Sequence, residues 1–413
     1  MSQTAPTALP GTIALSASLP FMFGSVGLAA SYGASFFLVD LVRAGGHPVT
    51  LAGAAVSTGT IATIATSLVA GRIAEKVGIM TMIVVSAAVL AASMLCLSLV
   101  NHFVLLAYAG GLLMGIGWST FYILAPLQII RHVSGAARIK YLTLVSGSQM
   151  LGIGLAAPIG RWAAGWLQSY SEVYLLFALA CGLALVLLKV SEVQLRGAVQ
   201  IHLPASALNI ERAISVLRTP AIFPILMIGL GACIFAGLST YQSTYAASRR
   251  LAPDVFFLTF TITTVALRFA IAPMISKFPL YRFAATLFSL TALALALFYL
   301  NAGSSQTYLV SAFIFACGYG LSYSTLNSMV IDLAEQYAVP LSISSQLFTL
   351  AYFIGIFGFP YFAGEMIQGF GFDTLLLVMI GLVVLNGFLL GLLAIRGGKA
   401  SAPKFSKNGG PGA

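Results

Sequence analysis

Long apolar stretches alternate with short polar breaks along the whole chain. We count twelve stretches of the length that crosses a bilayer, on the order of 20 residues each. Hydrocarbon offers the backbone no hydrogen-bond partner, so each stretch predicts a membrane-spanning α-helix. The predicted spans are 13–40, 49–70, 79–100, 103–130, 141–168, 173–191, 220–247, 255–275, 283–301, 308–331, 342–368 and 374–395.

Composition supports this pattern and excludes a soluble protein. Hydrophobic residues make up 59% of the 413 positions and charged residues only 7%, whereas a soluble domain is about half apolar and a quarter charged. The chain is therefore expected to be an all-α, multi-pass protein of the cell membrane, either a bacterial inner membrane or a plasma membrane, with the lipid bilayer as its surroundings.

The net charge of +10 does not indicate a nucleic-acid partner, because the basic residues lie in the short gaps between spans and not on a soluble module. An N-terminus in the cytoplasm assigns fifteen Lys and Arg to that side and leaves only Arg43, Arg249 and Arg250 outside. The positive-inside rule then predicts that both termini are cytoplasmic.

The chemistry-bearing residues show no catalytic or metal-binding pattern. Cys96, Cys181, Cys233 and Cys317 all fall inside spans, which supports neither a disulfide framework nor a zinc site. The spans contain no H-E-x-x-H motif and no paired mid-span aspartates. We therefore predict that the protein is not an enzyme and uses no cofactor or metal.

The longest polar stretch divides the chain into two halves. Residues 192–218 carry charge, a proline and an amphipathic run, which predicts a cytoplasmic linker with a surface helix. The predicted organisation is an N-terminal six-helix half (1–191), this linker, a C-terminal six-helix half (219–396) and a cytoplasmic tail (397–413).

The two halves resemble each other at three places. GRIAEKVG at 71–78 corresponds to APMISKFP at 272–279, GIGWS at 115–119 to GYGLS at 318–322, and Pro158 to Pro360. The offsets of 201, 203 and 202 residues agree within two. This agreement indicates a duplicated six-helix unit, which is how many secondary transporters are built around a site at the bilayer midplane.

The segment GRIAEKVG lies between spans two and three, with Gly71, Glu75, Lys76 and Gly78 in order. It resembles the signature loop of the major facilitator superfamily. The resemblance implies a fold of two pseudo-symmetric six-helix bundles around a central cavity. Glycines allow a tight turn, and the acid and base can form a latch on the cytoplasmic side.

The resemblance also implies partners for this latch. Arg131, at the cytoplasmic end of span four, is the candidate partner of Glu75. The corresponding segment of the second half has Lys277, and Asp332 at the end of span ten can supply its acid. The alternative is that these charges only set topology and solvate the ends of the helices.

Two other family motifs differ here. Gly111 stands where drug and proton antiporters of the superfamily usually carry an arginine, and span five has Ala157-Pro158-Ile159-Gly160-Arg161 where they carry Gly-Pro-x-x-Gly-Gly. No acid lies at mid-span. Asp40, with Arg43 one turn on, is the remaining proton candidate, and a solvated ion pair between these two residues is the alternative.

Polar and aromatic residues within the spans are the candidates for a solute pathway, because polar groups in hydrocarbon must pair or line water. The alternative is that these residues only pack helices together. As a set, their aromatic character favours an organic solute with an apolar or aromatic part. The candidates are Tyr32, Trp118, Ser119, Tyr122, Gln149, Tyr241, Gln242, Arg268, Tyr319, Tyr323 and Asn327.

Arg268 is the most informative of these candidates. An arginine in mid-membrane costs about 2.5 to 3.5 kcal/mol on insertion scales, so some interaction should offset it. One hypothesis is that Arg268 binds an anionic group of the substrate. The other is that it pairs with Asp332 or extends toward the cytoplasm.

Together these features predict a secondary transporter, similar to bacterial efflux members of the superfamily, that moves a small organic solute by alternating access. We expect export of a metabolite or drug by a monomer. The alternatives are an importer of a small organic anion or sugar, and a non-transporting receptor on the same fold.

Overall fold

The computed structural model describes residues 13–133, 135–196, 210–271 and 279–400, and every regular element within these ranges is a helix. Twelve of the described helices are long and apolar enough to cross a membrane, which confirms each predicted span. They are α1 Leu15–Ala44, α2 Thr50–Val77, α3 Ile79–Ser98, α4 Leu105–Ile130, α5 Lys140–Leu167, α6 Tyr170–Gln194, α7 Ile222–Thr240, α8 Pro253–Ala270, α9 Leu280–Leu300, α10 Ser305–Gln336, α11 Leu341–Phe370 and α12 Phe372–Ile395.

Three of the helices are interrupted. A turn of 3-10 helix at Ala34–Phe37 interrupts α1, and α7 ends at Thr240 but resumes as a short helix over Gln242–Ser248. A break at Leu321 divides α10. We call the end of the bundle where α1 begins and α12 ends the inner end, and the opposite end the outer end; the interruptions of α1 and α7 both lie toward the outer end.

Packing repeats between the two halves. In the first half α1 packs on α5 and α6, α2 packs on α4, and α3 packs on α4 and α6. The second half repeats these contacts six helices later: α7 packs on α11 and α12, α8 packs on α10, and α9 packs on α10 and α12. The halves meet mainly through α2 with α11 and through α5 with α8. Because α2 corresponds to α8 and α5 to α11, these two contacts are symmetry equivalents of each other. This repetition is the arrangement expected of a duplicated unit.

Glycine allows the closest helix contacts. At Gly111 on α4, a Cβ atom would overlap the backbone carbonyl of Ala55 on α2. Close backbone approach at small residues is a main source of packing energy between helices in lipid, where no hydrophobic effect drives them together. Gly111, which stands where drug antiporters usually carry an arginine, therefore allows α4 to pack closely against α2.

The signature segment differs from the sequence prediction in where the helix ends. Span two was expected to end at residue 70, but α2 continues to Val77 and so includes Gly71, Glu75 and Lys76. Gly78 alone makes the turn into α3, with a φ of +96° that favours glycine. Glu75 and Lys76 are exposed, and Arg131 follows the last residue of α4. The pairing of Glu75 with Arg131 stays a prediction, and Lys277 lies outside the described residues.

The linker contains the predicted surface helix. It spans Ile210–Leu217 and buries Ala213 and Val216, while its charged residues remain exposed. It contacts α11 near the inner end of the bundle. At the other end of the chain, the last helix continues to Ala400 and includes the first residues of the predicted tail.

Candidate functional site

Aromatic side chains of both halves meet in the centre of the bundle. Tyr32 of α1 stacks on Trp118 of α4, with ring centroids 5.1 Å apart and planes 9° apart. The edge of Phe357 on α11 approaches Tyr32 at 5.7 Å. Tyr32 and Trp118 are each 1% exposed, so these rings fill the space between the two halves.

Tyr122 extends this contact toward the inner end. Its ring lies 5.6 Å from Trp118 within the first half. Across the interface it lies 6.2 Å from Tyr323 on α10 and 5.8 Å from Tyr352 on α11, on which it stacks. Tyr319, one turn before Tyr323, shares a hydroxyl hydrogen bond with Tyr352. We call these six rings the central cluster: Tyr32, Trp118, Tyr122, Tyr319, Tyr323 and Tyr352.

Arg268 of α8 lies against the central cluster. Its guanidinium donates to the Ser146 hydroxyl on α5 of the other half and interacts electrostatically with the hydroxyls of Tyr122 and Tyr323. Tyr122 lies eight residues before the end of α4, hence about 12 Å from the inner end. Arg268 therefore lies at about the level of Tyr122, in the last turn of α8, and is only partly exposed.

No acidic side chain in the described part of the chain pairs with Arg268. The ion pairs found there involve Arg161, Lys189 and Arg249 instead. The hypothesis that Arg268 pairs with Asp332 is wrong for this structure, because Asp332 is exposed near the inner end of α10. The positive charge beside the central cluster is thus left without a protein counter-ion among the described residues.

Three buried N–H donors at this level lack a partner within the described residues: Trp118 Nε1, Gln149 Nε2 and Arg268 Nε. Gln149 lies one turn from Ser146 on the same face of α5. A buried donor without an acceptor costs about 1 to 3 kcal/mol. The site is therefore rich in donors and is chemically suited to a ligand that brings acceptor atoms and negative charge.

Four of the predicted cavity residues lie elsewhere or face other groups. The Tyr241 hydroxyl donates to the Pro360 carbonyl toward the outer end at 2.9 Å, and Gln242 Nε2 donates to the Tyr308 hydroxyl within the second half at 2.7 Å. Ser119 donates to the Gly115 carbonyl of its own helix at 2.6 Å. Asn327 is partly buried, one turn closer to the inner end than Tyr323.

An ionic network closes the outer end of the bundle. Arg161 on α5 donates from Nε to Asp40 of α1 at 2.9 Å and from Nη1 to Asp254 of α8 at 2.8 Å. Its Nη2 donates to the Ser243 hydroxyl at 2.8 Å, and that hydroxyl donates to Asp40 at 3.0 Å. We call Asp40, Arg161, Ser243 and Asp254 the outer network; it joins the first half to the second.

The outer network changes the interpretation of Asp40. The expected solvated pair of Asp40 with Arg43 does not form, since Asp40 accepts from Arg161 and Arg43 donates to Thr244 of the second half at 3.2 Å. The side chains of Asp40 and Arg161 are each only 11% exposed. Asp40 therefore contributes to closing the outer end.

Helices α2 and α11 close the same end beside this network. The Ser57 hydroxyl donates to the Gly358 carbonyl at 3.3 Å and accepts from the Tyr361 amide at 3.0 Å. One turn further out, a Cβ atom at Gly53 would overlap the Pro360 carbonyl. The two halves are thus in contact from the outer surface down to the central cluster.

Sequence reasoning missed Ser146, Tyr352, Ser243 and Asp254. Tyr352 lies in span eleven, from which no candidate cavity residue was predicted. The partners of Arg161 are separated from it by 121 residues for Asp40 and 93 for Asp254, so helix periodicity carried no signal for them. Charged residues at the span ends were the available signal, since Asp40 is the last residue of span one and Asp254 lies one residue before span eight.

Comparison with known proteins agrees with this architecture. None of the curated proteins compared with the chain matches it. The family model for the Major Facilitator Superfamily matches residues 13–356, which include most of both halves. With twelve membrane-capable helices in two similarly packed sets and a family match over most of its length, the chain belongs to the Major Facilitator Superfamily.

Proposed function

We propose that this protein exports a small organic anion that carries an aromatic or other apolar part, by alternating access across the membrane. The chain belongs to a family of secondary transporters of small solutes. The observation that carries the anionic assignment is Arg268, which lies beside the central cluster with no acidic partner among the described residues.

Electrostatics favours an anion at this site. An arginine in the bilayer centre is costly unless it pairs, and a substrate carboxylate would supply the missing charge in a low-dielectric surrounding. The unpartnered N–H groups of Trp118 and Gln149 would donate to the same ligand. A cationic solute would instead meet Arg268 with repulsion.

The aromatic rings favour an apolar part on the same solute. Across the interface the ring of Tyr122 lies 6.2 Å from that of Tyr323 and 5.8 Å from that of Tyr352, and the latter two rings lie 5.3 Å apart within the second half. Entry of a planar or apolar group would replace these ring contacts with contacts of the same kind. This exchange would let the halves separate at the centre when solute is bound.

Alternating access requires the outer end to open. Opening would separate Arg161 and Asp40 of the first half from Ser243 and Asp254 of the second. The proposed topology places the termini in the cytoplasm, so the closed outer end would face the exterior and the solute would enter from the inner end.

A binding screen with purified protein tests the substrate class. Aromatic carboxylates such as benzoate derivatives should raise the melting temperature, because a ligand selective for the folded state raises its apparent stability. Uncharged and cationic analogues of the same ring should not. Arg268→Gln should abolish the shift, whereas Arg212→Gln, which removes an exposed charge from the linker helix, should leave it unchanged. Equal shifts for charged and uncharged analogues would refute the anionic site.

Flux in proteoliposomes tests the direction. A preloaded aromatic carboxylate should leave through protein oriented with its inner end toward the lumen, and Arg268→Gln should stop this flux. Net flux only in the opposite sense would make the protein an importer of the anion and contradict export alone. Binding without any flux would favour the receptor alternative.

A further inference from the structure

A groove opens on the surface of the second half that faces away from the first half and the central cluster. It is a cavity of about 500 Å³ between α9 and α12. Its floor consists of the buried side chains Phe288, Val383 and Leu390. Because its walls belong to helices of one half only, it is separate from the proposed solute site.

Small residues on two facing helices create the groove. On α9 these are Ala285, Ser289 and Ala292, and on α12 they are Gly387, Gly391 and Ala394, so each set repeats at intervals of four and three residues along one helical face. A Cβ atom at Gly387 or Gly391 would meet nothing within 4 Å. The space is therefore open, and side chains of ordinary size would fill it.

The groove has the length of one bilayer leaflet. It extends from Tyr281 to Ala292 on α9, a rise of about 16 Å, which is close to half of a hydrocarbon core of about 30 Å. It begins at the inner end of α9. An acyl chain could lie along its whole length, and an empty groove would lose those contacts with its lining atoms.

A basic side chain stands at the polar end of the groove. Arg282 is exposed in the first turn of α9, and no acid in the described ranges pairs with it. Basic pockets between helices on the cytoplasmic side are typical sites for anionic headgroups.

We propose that this groove binds one anionic phospholipid of the leaflet at the inner end, with an acyl chain between α9 and α12 and the phosphate at Arg282. The proposal goes beyond solute transport, because it needs no residue of the central cluster or the outer network. A second copy of the chain is the less suitable occupant, since an exposed, unpaired arginine matches a phosphate and not the same arginine of another copy.

Lipid titration of the purified full-length protein in neutral detergent tests this site. Phosphatidylglycerol should raise the melting temperature more than phosphatidylcholine of the same chain length. Native mass spectrometry should detect one retained phosphatidylglycerol. Inorganic phosphate should give no shift, because it lacks the chain that occupies the groove.

Two variants separate the headgroup from the acyl chain. Arg282→Gln should weaken phosphatidylglycerol binding about fivefold, the effect of one basic side chain near an anionic headgroup, and should abolish the preference over phosphatidylcholine. Gly391→Leu should fill the groove and abolish retention of the lipid.

Each variant has a matched control. Arg212→Gln removes a charge near the same end of the bundle, and Gly381→Leu adds the same side chain to α12 at a position with open space outside the groove; both should bind lipid as the unmodified chain does. The proposal is overturned if Arg282→Gln keeps the preference for phosphatidylglycerol, if Gly391→Leu retains the lipid as Gly381→Leu does, or if a dimer forms that Gly391→Leu disrupts.

Discussion

At the residue scale, the two arginines within the spans are held in opposite ways. Arg161 has two carboxylates, a hydroxyl and the face of Phe257 at 5.3 Å around its guanidinium. Arg268 has one serine hydroxyl and several tyrosines. The first arginine is satisfied by the protein and joins the halves, whereas the second keeps donor capacity for a ligand. The same residue type thus joins the two halves at one level of the bundle, whereas at another we propose that it binds the solute.

Loss of Arg161 should destabilise the outer-closed structure strongly. Arg161→Gln leaves Asp40 nearly buried without its cation, and breaking such a pair costs about 3 to 5 kcal/mol. The double variant Arg161→Gln with Asp40→Asn should recover part of this loss. Thermal unfolding of the purified protein measures both.

Asp254 provides a matched control for this prediction. Its side chain is 38% exposed, so Asp254→Asn should cost much less, about 1 kcal/mol or below, as solvated ion pairs do. If Asp254→Asn and Arg161→Gln unfold at the same temperature, the buried pair of Arg161 with Asp40 does not dominate the network.

Trp118→Phe should weaken anion binding while preserving the fold. Phenylalanine keeps an aromatic ring against Tyr32 but lacks the Nε1 donor that is unpartnered among the described residues. Loss of one hydrogen bond to a charged ligand corresponds to about a tenfold rise in Kd. Calorimetry with an aromatic carboxylate measures it.

The control for Trp118→Phe is an uncharged analogue of the same ring. If the substitution weakened this analogue as much as the carboxylate, the effect would come from packing and not from the indole donor. An unchanged Kd for the carboxylate would place the indole N–H outside the binding site.

The sequence identified Arg268, Trp118 and four of the five tyrosines of the central cluster as candidates, because a polar group inside an apolar span is visible without a structure. It could not assign their partners. Ser146 on α5 is an ordinary serine in an apolar run, and its pairing with Arg268 across 122 residues depends on which helices face each other.

At the element scale, α5 and α8 form an antiparallel seam between the halves. Gly147 approaches Phe269, Gly154 contacts Thr261, and Arg161 reaches Asp254, so residues seven apart on α5 meet residues about two turns apart on α8. The small residues permit close approach in the middle of the seam. Arg161 and Arg268, at its two ends, fix the register of α5 against α8.

Gly154→Ala should disrupt this seam. The added Cβ would overlap the side chain of Thr261, which is 2% exposed and cannot move aside freely. Overpacking of this kind costs about 1 to 3 kcal/mol. Thr261→Ala in the same chain should restore part of the stability, as a double-mutant cycle by thermal unfolding would detect.

Gly165→Ala is the matched control on the same helix, since a Cβ atom there meets nothing within 4 Å. It should leave the melting temperature unchanged. An additive effect of Gly154→Ala and Thr261→Ala would show that the two positions are not in contact.

Element boundaries were predictable where hydropathy changes sharply and not where it changes gradually. The expected and observed starts of α3 coincide at Ile79, because Gly78 sets the turn. The end of α2 was placed seven residues early, since Arg72, Glu75 and Lys76 lower the hydropathy although the helix continues to Val77. The break in α1 lies in an apolar run, Ala34–Phe37, and left no hydropathy signal. The break in α7 falls at Tyr241 in a polar run that the prediction kept within one span, 220–247.

At the scale of the whole molecule, three short matches between the halves predicted a symmetry that the packing repeats throughout. The pairs α2 with α11 and α5 with α8 exchange when the halves are interchanged, and the outer network breaks that symmetry. Arg161 has no basic equivalent in the second half, because the position 202 residues later is Ala363. Closure of the outer end therefore depends more on the contact of α5 with α8 than on the contact of α2 with α11. A comparison of repeated motifs could not have predicted this difference.

The orientation that the charges predict for the whole molecule is testable from outside the cell. Arg250, between α7 and α8, and Arg212, on the linker helix, are both exposed and lie at opposite ends of the bundle. A membrane-impermeant maleimide should label Arg250→Cys in intact cells and Arg212→Cys only after permeabilisation. The unmodified chain is the control, since its four cysteines lie within the spans. Labelling of Arg212→Cys in intact cells, and of Arg250→Cys only after permeabilisation, would put the termini outside and the closed end toward the cytoplasm. The groove of α9 and α12 would then lie in the outer leaflet, where anionic lipid is scarce.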